Sequence, residues 1–200
     1  MRVSTKRYQN VLSDAFPATS LALVRFLKQK NRRSQRIPWW RVRQVQNFVI
    51  ALNATAFELE RARREERTAT LAWLGRNFLE LSIWTEYCCA SEQNAKRFKE
   101  DTSRDVFGII AAIKGAVTEP ELHKSADELL QRLERIFNTP SFKIRDEFKR
   151  VGKAATELGR EREFFSKNKL FSKMTHPTAF ILNNRMTKRL RNDFRPLFSF

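Results

Sequence analysis

The sequence predicts an all-α protein, a bundle of about six helices with basic N- and C-terminal extensions. Three observations carry that prediction. Apolar residues recur at three- and four-residue steps through most of the chain, the period of helices with buried faces. Gly and Pro are scarce, 5 and 6 in 200 residues, where a β-rich chain needs more turn residues. No stretch of useful length alternates apolar with polar, and no internal repeat is visible. With 42% hydrophobic residues and 17 Phe, the core of one domain is readily supplied.

Taken in order, residues 1–38 read as a basic, mobile N-terminal extension. A short helix is expected within it at Ala18–Gln29, using Leu21, Leu23, Val24, Phe26 and Leu27. The run KQKNRRSQR that follows has nothing to bury. Pro38 and the pair Trp39–Trp40 mark the start of a bundle domain over residues 39–182. Its first helix, Trp40–Arg64, sets Val42, Val45, Phe48, Val49, Leu52, Ala56 and Leu59 on one stripe. The break that follows is short, with Thr68 as expected N-cap, so the next helix returns antiparallel.

That next helix, Leu71–Cys89, is the centre of the prediction. LAWLGRNFLELSIWTEYCC is apolar on two opposite sides, and a helix apolar on both sides is buried on both. Leu71, Leu74, Phe78 and Leu81 form one side, and Trp73, Ile83, Trp84 and Tyr87 form the other, with Arg76 and Glu80 among them. Ser91 is placed to cap a helix carrying Phe98, Val106, Ile109, Ile110, Ile113 and Val117. Pro120 opens another, with Leu122, Leu129, Leu130, Leu133, Ile136 and Phe137 on its stripe. Thr139-Pro140 repeats the device and predicts a helix through Phe142, Phe148 and Val151 to Leu158, closed by Gly159. A last helix, Glu161–Met174, must stop at His176 because Pro177 disfavours helical geometry in the residue before it. Residues 183–200 form a basic, Phe-rich tail.

The net charge of +17 is unevenly spread. Residues 1–41 carry ten Lys/Arg against Asp14, giving +9; residues 42–141 carry fourteen basic and fifteen acidic side chains, giving −1; residues 142–200 carry fifteen and six, giving +9. A near-neutral body with two basic ends suits a polyanionic partner. Nucleic acid is favoured, RNA first, over an anionic membrane surface. The residues expected to meet phosphates are Lys28, Lys30, Arg32, Arg33 and Arg36 near one end, and Lys188, Arg189 and Arg191 near the other. A solvated basic surface with no specific partner is the plain alternative. The Trp39–Trp40 region and the Phe-rich tail would also serve a homo-oligomer interface.

Adjacent cysteines, Cys88 and Cys89, point about 100° apart on a helix and do not readily pair with each other. Buried thiols in a reducing compartment, the cytoplasm by default, are expected. There is no P-loop, GxGxxG or HExxH, no zinc-ligand spacing and no apolar run of bilayer length. Neither cofactor nor metal is expected.

Two constellations remain. Arg76 and Glu80 stand one turn apart. They read either as a structural pair that sets helix register or as a guanidinium held by a carboxylate to grip a phosphate. Ser172 and His176 also stand one turn apart. His176 reads as a helix-end tie or as an acid–base group near neutral pH. His123, in EPELHK, is expected to be solvated.

RNFLELSIWTEY from Arg76, SEQNAKRFKED from Ser91 and LFSKMTHPT from Leu170 together resemble a bacterial all-helical family of unknown function. That family has an Arg-x-x-x-Glu rod helix and a late Ser-x-x-x-His-Pro segment, and the resemblance spans residues 40–182. The layout is also similar to HEPN-like helical domains, many of them metal-independent ribonucleases of defence systems. The resemblance implies a site of Arg76, Glu80, Ser172 and His176, with Arg76 on phosphate, Glu80 orienting it and His176 as general acid or base. HEPN-like signatures place Arg and His four to six residues apart on one helix; here a hundred positions separate them. A ribonuclease site therefore requires the fold to bring the two together. A non-enzymatic nucleic-acid-binding module and a helical partner-binding protein are the rival expectations.

Overall fold

The computed structural model describes residues 17–30, 37–137, 142 and 147–175. Every regular element among them is a helix: α1 (Pro17–Lys30), α2 (Trp39–Arg64), α3 (Thr68–Ala90), α4 (Glu92–Ala116), α5 (Pro120–Phe137), α6 (Val151–Glu157) and α7 (Glu161–Thr175). The fold is all-α. It divides into two units: residues 1–90 with 151–200, and residues 91–150.

In the first unit, α3 is the rod. It packs against α1, α2, α6 and α7, so its apolar residues find partners on several sides. Leu71, Leu74, Phe78, Leu79, Ile83 and Tyr87 are all buried. They meet Leu52, Ala56 and Leu59 of α2, Ala154 and Ala155 of α6, and Phe164, Phe171 and Met174 of α7 in one core cluster. Burying one such Leu, Ile or Phe side chain contributes about 1.5–3 kcal/mol.

Two similar corners set the helix directions. At the end of α2, Glu66 adopts the left-handed conformation (φ 53°) and the Arg67 N–H donates to the Ala62 carbonyl at 2.9 Å. At the end of α6, Gly159 does the same (φ 70°) and the Arg160 N–H donates to Ala155 at 2.8 Å. Both are Schellman motifs, which satisfy carbonyls that would otherwise be orphaned. Each also delivers an Arg as the first residue of the next helical turn: the carbonyls of Arg67 and Arg160 accept from the N–H groups of Leu71 and Phe164 at 2.9 Å.

The second unit is a helical hairpin of α4 and α5. Ser91 caps α4 as expected, its Oγ accepting from the Asn94 N–H at 3.0 Å. Phe142, Glu147 and Lys149 lie against the first half of α4. Arg97 donates to the Glu147 carbonyl, the Lys149 N–H donates to Asp101 at 3.2 Å, and the Lys99 ammonium sits 3.6 Å from the centre of the Phe142 ring. Ala95, Glu100, Asp101 and Ser103 are buried beneath these contacts.

Three expectations differ from the structure. The opening of the helix predicted at Thr139-Pro140 lies outside the described residues; its described part is helical from Val151 to Glu157, while residues 147–150 take no regular structure and the Lys149 N–H turns to Asp101 of α4. The rod begins at Thr68, with Arg67 rather than Thr68 in the capping position. Residues 17–30, assigned by sequence to the extension, pack on the rod through Phe26 and Thr19, 2% and 0% exposed. The stripe read for that helix is turned mostly outward, since Leu21, Val24 and Leu27 are exposed.

Candidate functional site

Arg76 and Glu80 are paired as their one-turn spacing predicts, Arg76 Nε donating to Glu80 Oε1 at 2.9 Å. They are not buried. Their side chains are 36% and 29% exposed, and Trp73 beside them is 56% exposed. The fourteen residues of α1 extend about 21 Å, against about 35 Å for the rod. The half of the rod bearing Ser82, Ile83 and Thr85–Cys89 is buried, while Trp73, Arg76, Asn77 and Glu80 lie on an open strip.

Ser172 is half-buried on α7, and its carbonyl accepts from the Thr175 hydroxyl at 3.3 Å. The Phe171 ring lies against Gly75, where an added Cβ would sit 3.0 Å from the ring. Arg76 and Ser172 are thus each next in sequence to one contact between α3 and α7. His176 lies outside the described residues, as do Arg32, Arg33, Arg36, Lys188, Arg189 and Arg191. Lys28 is exposed on α1, and Lys30 closes that helix. His123 is half-buried, its Nε2 2.7 Å from the Val117 carbonyl at the turn between α4 and α5.

The carboxylate that the rod does carry inward is Glu86. Its side chain is 7% exposed and faces Arg160, itself 15% exposed. Arg160 Nη1 donates to both Glu86 oxygens at 2.7 and 2.8 Å, and the Thr19 hydroxyl of α1 donates to Oε1 at 2.6 Å. Arg160 Nε also donates to Glu163 at 2.7 Å, and Lys167 donates to Glu163 at 2.9 Å. Burial works against the Arg160 charge, but Glu86 and Glu163 more than offset it and raise its pKa. Burial likewise opposes charge on Glu163, and the bonds from Lys167 and Arg160 hold its carboxyl below the usual range. This network joins α1, α3 and α7 with its charges matched, which is a structural tie.

A second buried cation, Arg41 in the first turn of α2, closes the opposite polarity. Its Nε and Nη2 donate to the carbonyls of Cys88 and Cys89 at 3.1 and 2.9 Å, and its guanidinium lies 5.2 Å from the centre of the Phe26 ring. The last turn of α3 has no basic residue of its own, so Arg41 supplies the charge that its carbonyl end favours. The two thiols are inert as nucleophiles. Burial pushes Cys88 far above the ordinary thiol value and Cys89 up to about 12.

Sequence reasoning missed both buried arginines. Arg41 and Arg160 sit among exposed-looking basic residues, and no local pattern marks them. Their partners lie 47 and 74 positions away. It also missed a basic strip on α7, where Arg162, Lys169 and Lys173 are exposed at helix-face spacing of seven and four. That signal was available in the sequence EREFFSKNKLFSKMT.

The chain matches no protein-family model, no curated protein and no solved structure. Its chemistry rests on its own residues. Among the described residues, no group of three or more His, Cys, Asp and Glu could hold a metal ion, and no helix is long and apolar enough to cross a membrane.

Proposed function

We propose that this chain is a nucleic-acid-associated helical protein that grips the phosphate backbone through basic surfaces without reading base sequence. The observation that carries the reading is the charge map: +9 at each end and −1 between. The exposed strip of Arg162, Lys169 and Lys173, with Arg25 and Lys28 exposed on α1, adds charge on the described surface of the first unit. Each Lys or Arg that neutralises a phosphate releases a counterion, so binding of this kind is strong at low salt and weakens steeply as salt rises. The cytoplasm, where RNA is abundant, is the compartment that fits.

A ribonuclease role, of the kind HEPN-like domains play in bacterial defence or stress systems, is the second reading. What favours it is the α3–α7 contact beside which Arg76 and Ser172 stand, with Glu80 fixing the Arg76 guanidinium. In that reading Arg76 holds a phosphate and His176 transfers the proton.

One assay serves both. Labelled single-stranded RNA is incubated with the full chain, with Arg76→Ala and with His176→Ala, and both retardation and cleavage are followed. Retardation by all three without cleavage is the expected result. Cleavage by the parent that both substitutions abolish would move the assignment to the ribonuclease. Absence of retardation at low salt would refute nucleic-acid association.

A further inference from the structure

The hairpin of α4 and α5 has an apolar face that no other described element covers. From Arg104 to Ile136 no residue is buried. Ile109, Ile113, Leu122, Leu129 and Ile136 are 60%, 56%, 51%, 45% and 56% exposed. These are not scattered positions. In α5, Leu122, Ala126, Leu129, Leu133 and Ile136 follow alternating steps of four and three, the spacing of heptad a and d sites, and Leu130 and Phe137 fill the e sites beside them. In α4, Val106, Ile109, Ile113 and Ala116 keep the same steps, and Ile110 and Val117 fill the same e sites.

A stripe of a, d and e positions is wider than a two-helix seam and belongs to a helix with more than one neighbour in a bundle core. Among the described helices, each helix of this hairpin has one helical neighbour within its unit. The hairpin itself is fixed: Lys114 of α4 pairs with Asp127 of α5 at 2.6 Å, and the His123 ring closes the turn at Val117. A two-helix face of that width has the form of half a four-helix core.

We propose that the other half is the same hairpin of a second copy, related by a two-fold axis. Three features select that occupant. Both helices repeat one pattern, so a rotated copy offers the shape it must meet. The face is about 27 Å long for the 18 residues of α5 and about 20 Å wide for two helices, roughly 500 Å² in flat projection. Side-chain relief carries that toward the about 800 Å² per partner of a stable interface. Charge completes the selection. Residues 105–137 carry four basic and six acidic side chains, so −2, in a chain of +17. This is the stretch where two copies can meet without the repulsion of their basic ends, and one that neither nucleic acid nor an anionic lipid surface would favour. Lys124, Arg132 and Arg135 alternate with Glu121, Glu128 and Glu134 along α5, giving a rotated copy both signs to pair with.

The test is the molar mass of the nuclease-treated full chain by sedimentation in about 0.5 M salt, where nucleic-acid bridging is suppressed. The expected mass is twice 23.6 kDa in the micromolar range. Ile113→Glu combined with Leu129→Glu should return it to 23.6 kDa with helical circular dichroism retained, and Lys124→Ala, off the stripe, should leave it a dimer. A parent chain that sediments as a monomer overturns the proposal whatever the variants do. So does a dimer that the double substitution leaves intact.

Discussion

At the scale of single residues, the buried charges decide more than the exposed ones. Glu86 and Arg160 are largely out of water and meet through two short bonds. Removing one partner strands the other, which costs about 3–5 kcal/mol for a buried pair. Arg160→Ala or Glu86→Ala should therefore lower the thermal midpoint markedly. Arg76→Ala, in a pair about a third exposed, should cost no more than about 1 kcal/mol. Thermal denaturation of the three variants checks the contrast, and an Arg76→Ala loss as large as that of Arg160→Ala would contradict it. The acid limb of stability has a sign as well. The Glu163 carboxyl is held below its unfolded value by Lys167 and Arg160. Its contribution is present in full above about pH 4.5 and is lost as pH falls through the lower folded value. Glu163→Gln should flatten the fall in stability below about pH 4.5 by no more than about 1 kcal/mol, because the side chain is 37% exposed. An unchanged acid limb in that variant, followed by denaturant midpoints at stepped pH, would show that the bonds do not hold in solution. Glu60 is also held low, at about 2, foremost by its bond to Arg63, yet its side chain is 43% exposed and salt will screen it.

At the scale of elements, the sequence announced most helices and one of their caps, because periodicity and capping are local properties. The stripe of α2, the Pro that opens α5 and the Ser that caps α4 all appear where their spacing put them. The identity of the inward charge was not local. Arg76 and Glu80 share a side of the rod with Ile83 and Tyr87, but only the latter two are buried, on the half of the rod where Thr19 of α1 meets Glu86. Helical spacing tells which residues share a face and not how far along it a neighbour reaches. Glu86, on the covered half, became the buried anion, and the Arg that meets it comes from the corner at Gly159. Gly75 is a contact residue of the rod because the Phe171 ring of α7 packs on it. An added Cβ would lie 3.0 Å from the Phe171 ring, and that ring is itself 4% exposed within the core. Gly75→Ala should destabilise by about 1–3 kcal/mol from overpacking, less the up to about 1 kcal/mol gained in helix propensity. Gly108→Ala, with nothing within 4 Å of its added Cβ, should stabilise by up to about 1 kcal/mol. Denaturant unfolding of the pair checks the opposite signs; two changes of the same sign would mean that the α3–α7 contact is looser than described.

At the scale of the whole chain, a near-neutral middle separates two ends of +9, and the middle holds the apolar hairpin face. The charge map was fully legible in the sequence, since it needs only counting. The uncovered hairpin was not, because a heptad stripe reads the same whether its partner is in the same chain or another. Positive ends and a self-complementary middle together describe a protein that can pair with itself and still hold a polyanion. The most direct test of the nucleic-acid assignment is the salt dependence of binding to a labelled RNA of arbitrary sequence, followed by fluorescence anisotropy. For five or more phosphate contacts, log K should fall against log salt with a slope of about −3.5 or steeper, and a second sequence should give the same slope. A slope near zero, or no binding at the lowest salt, would contradict the assignment.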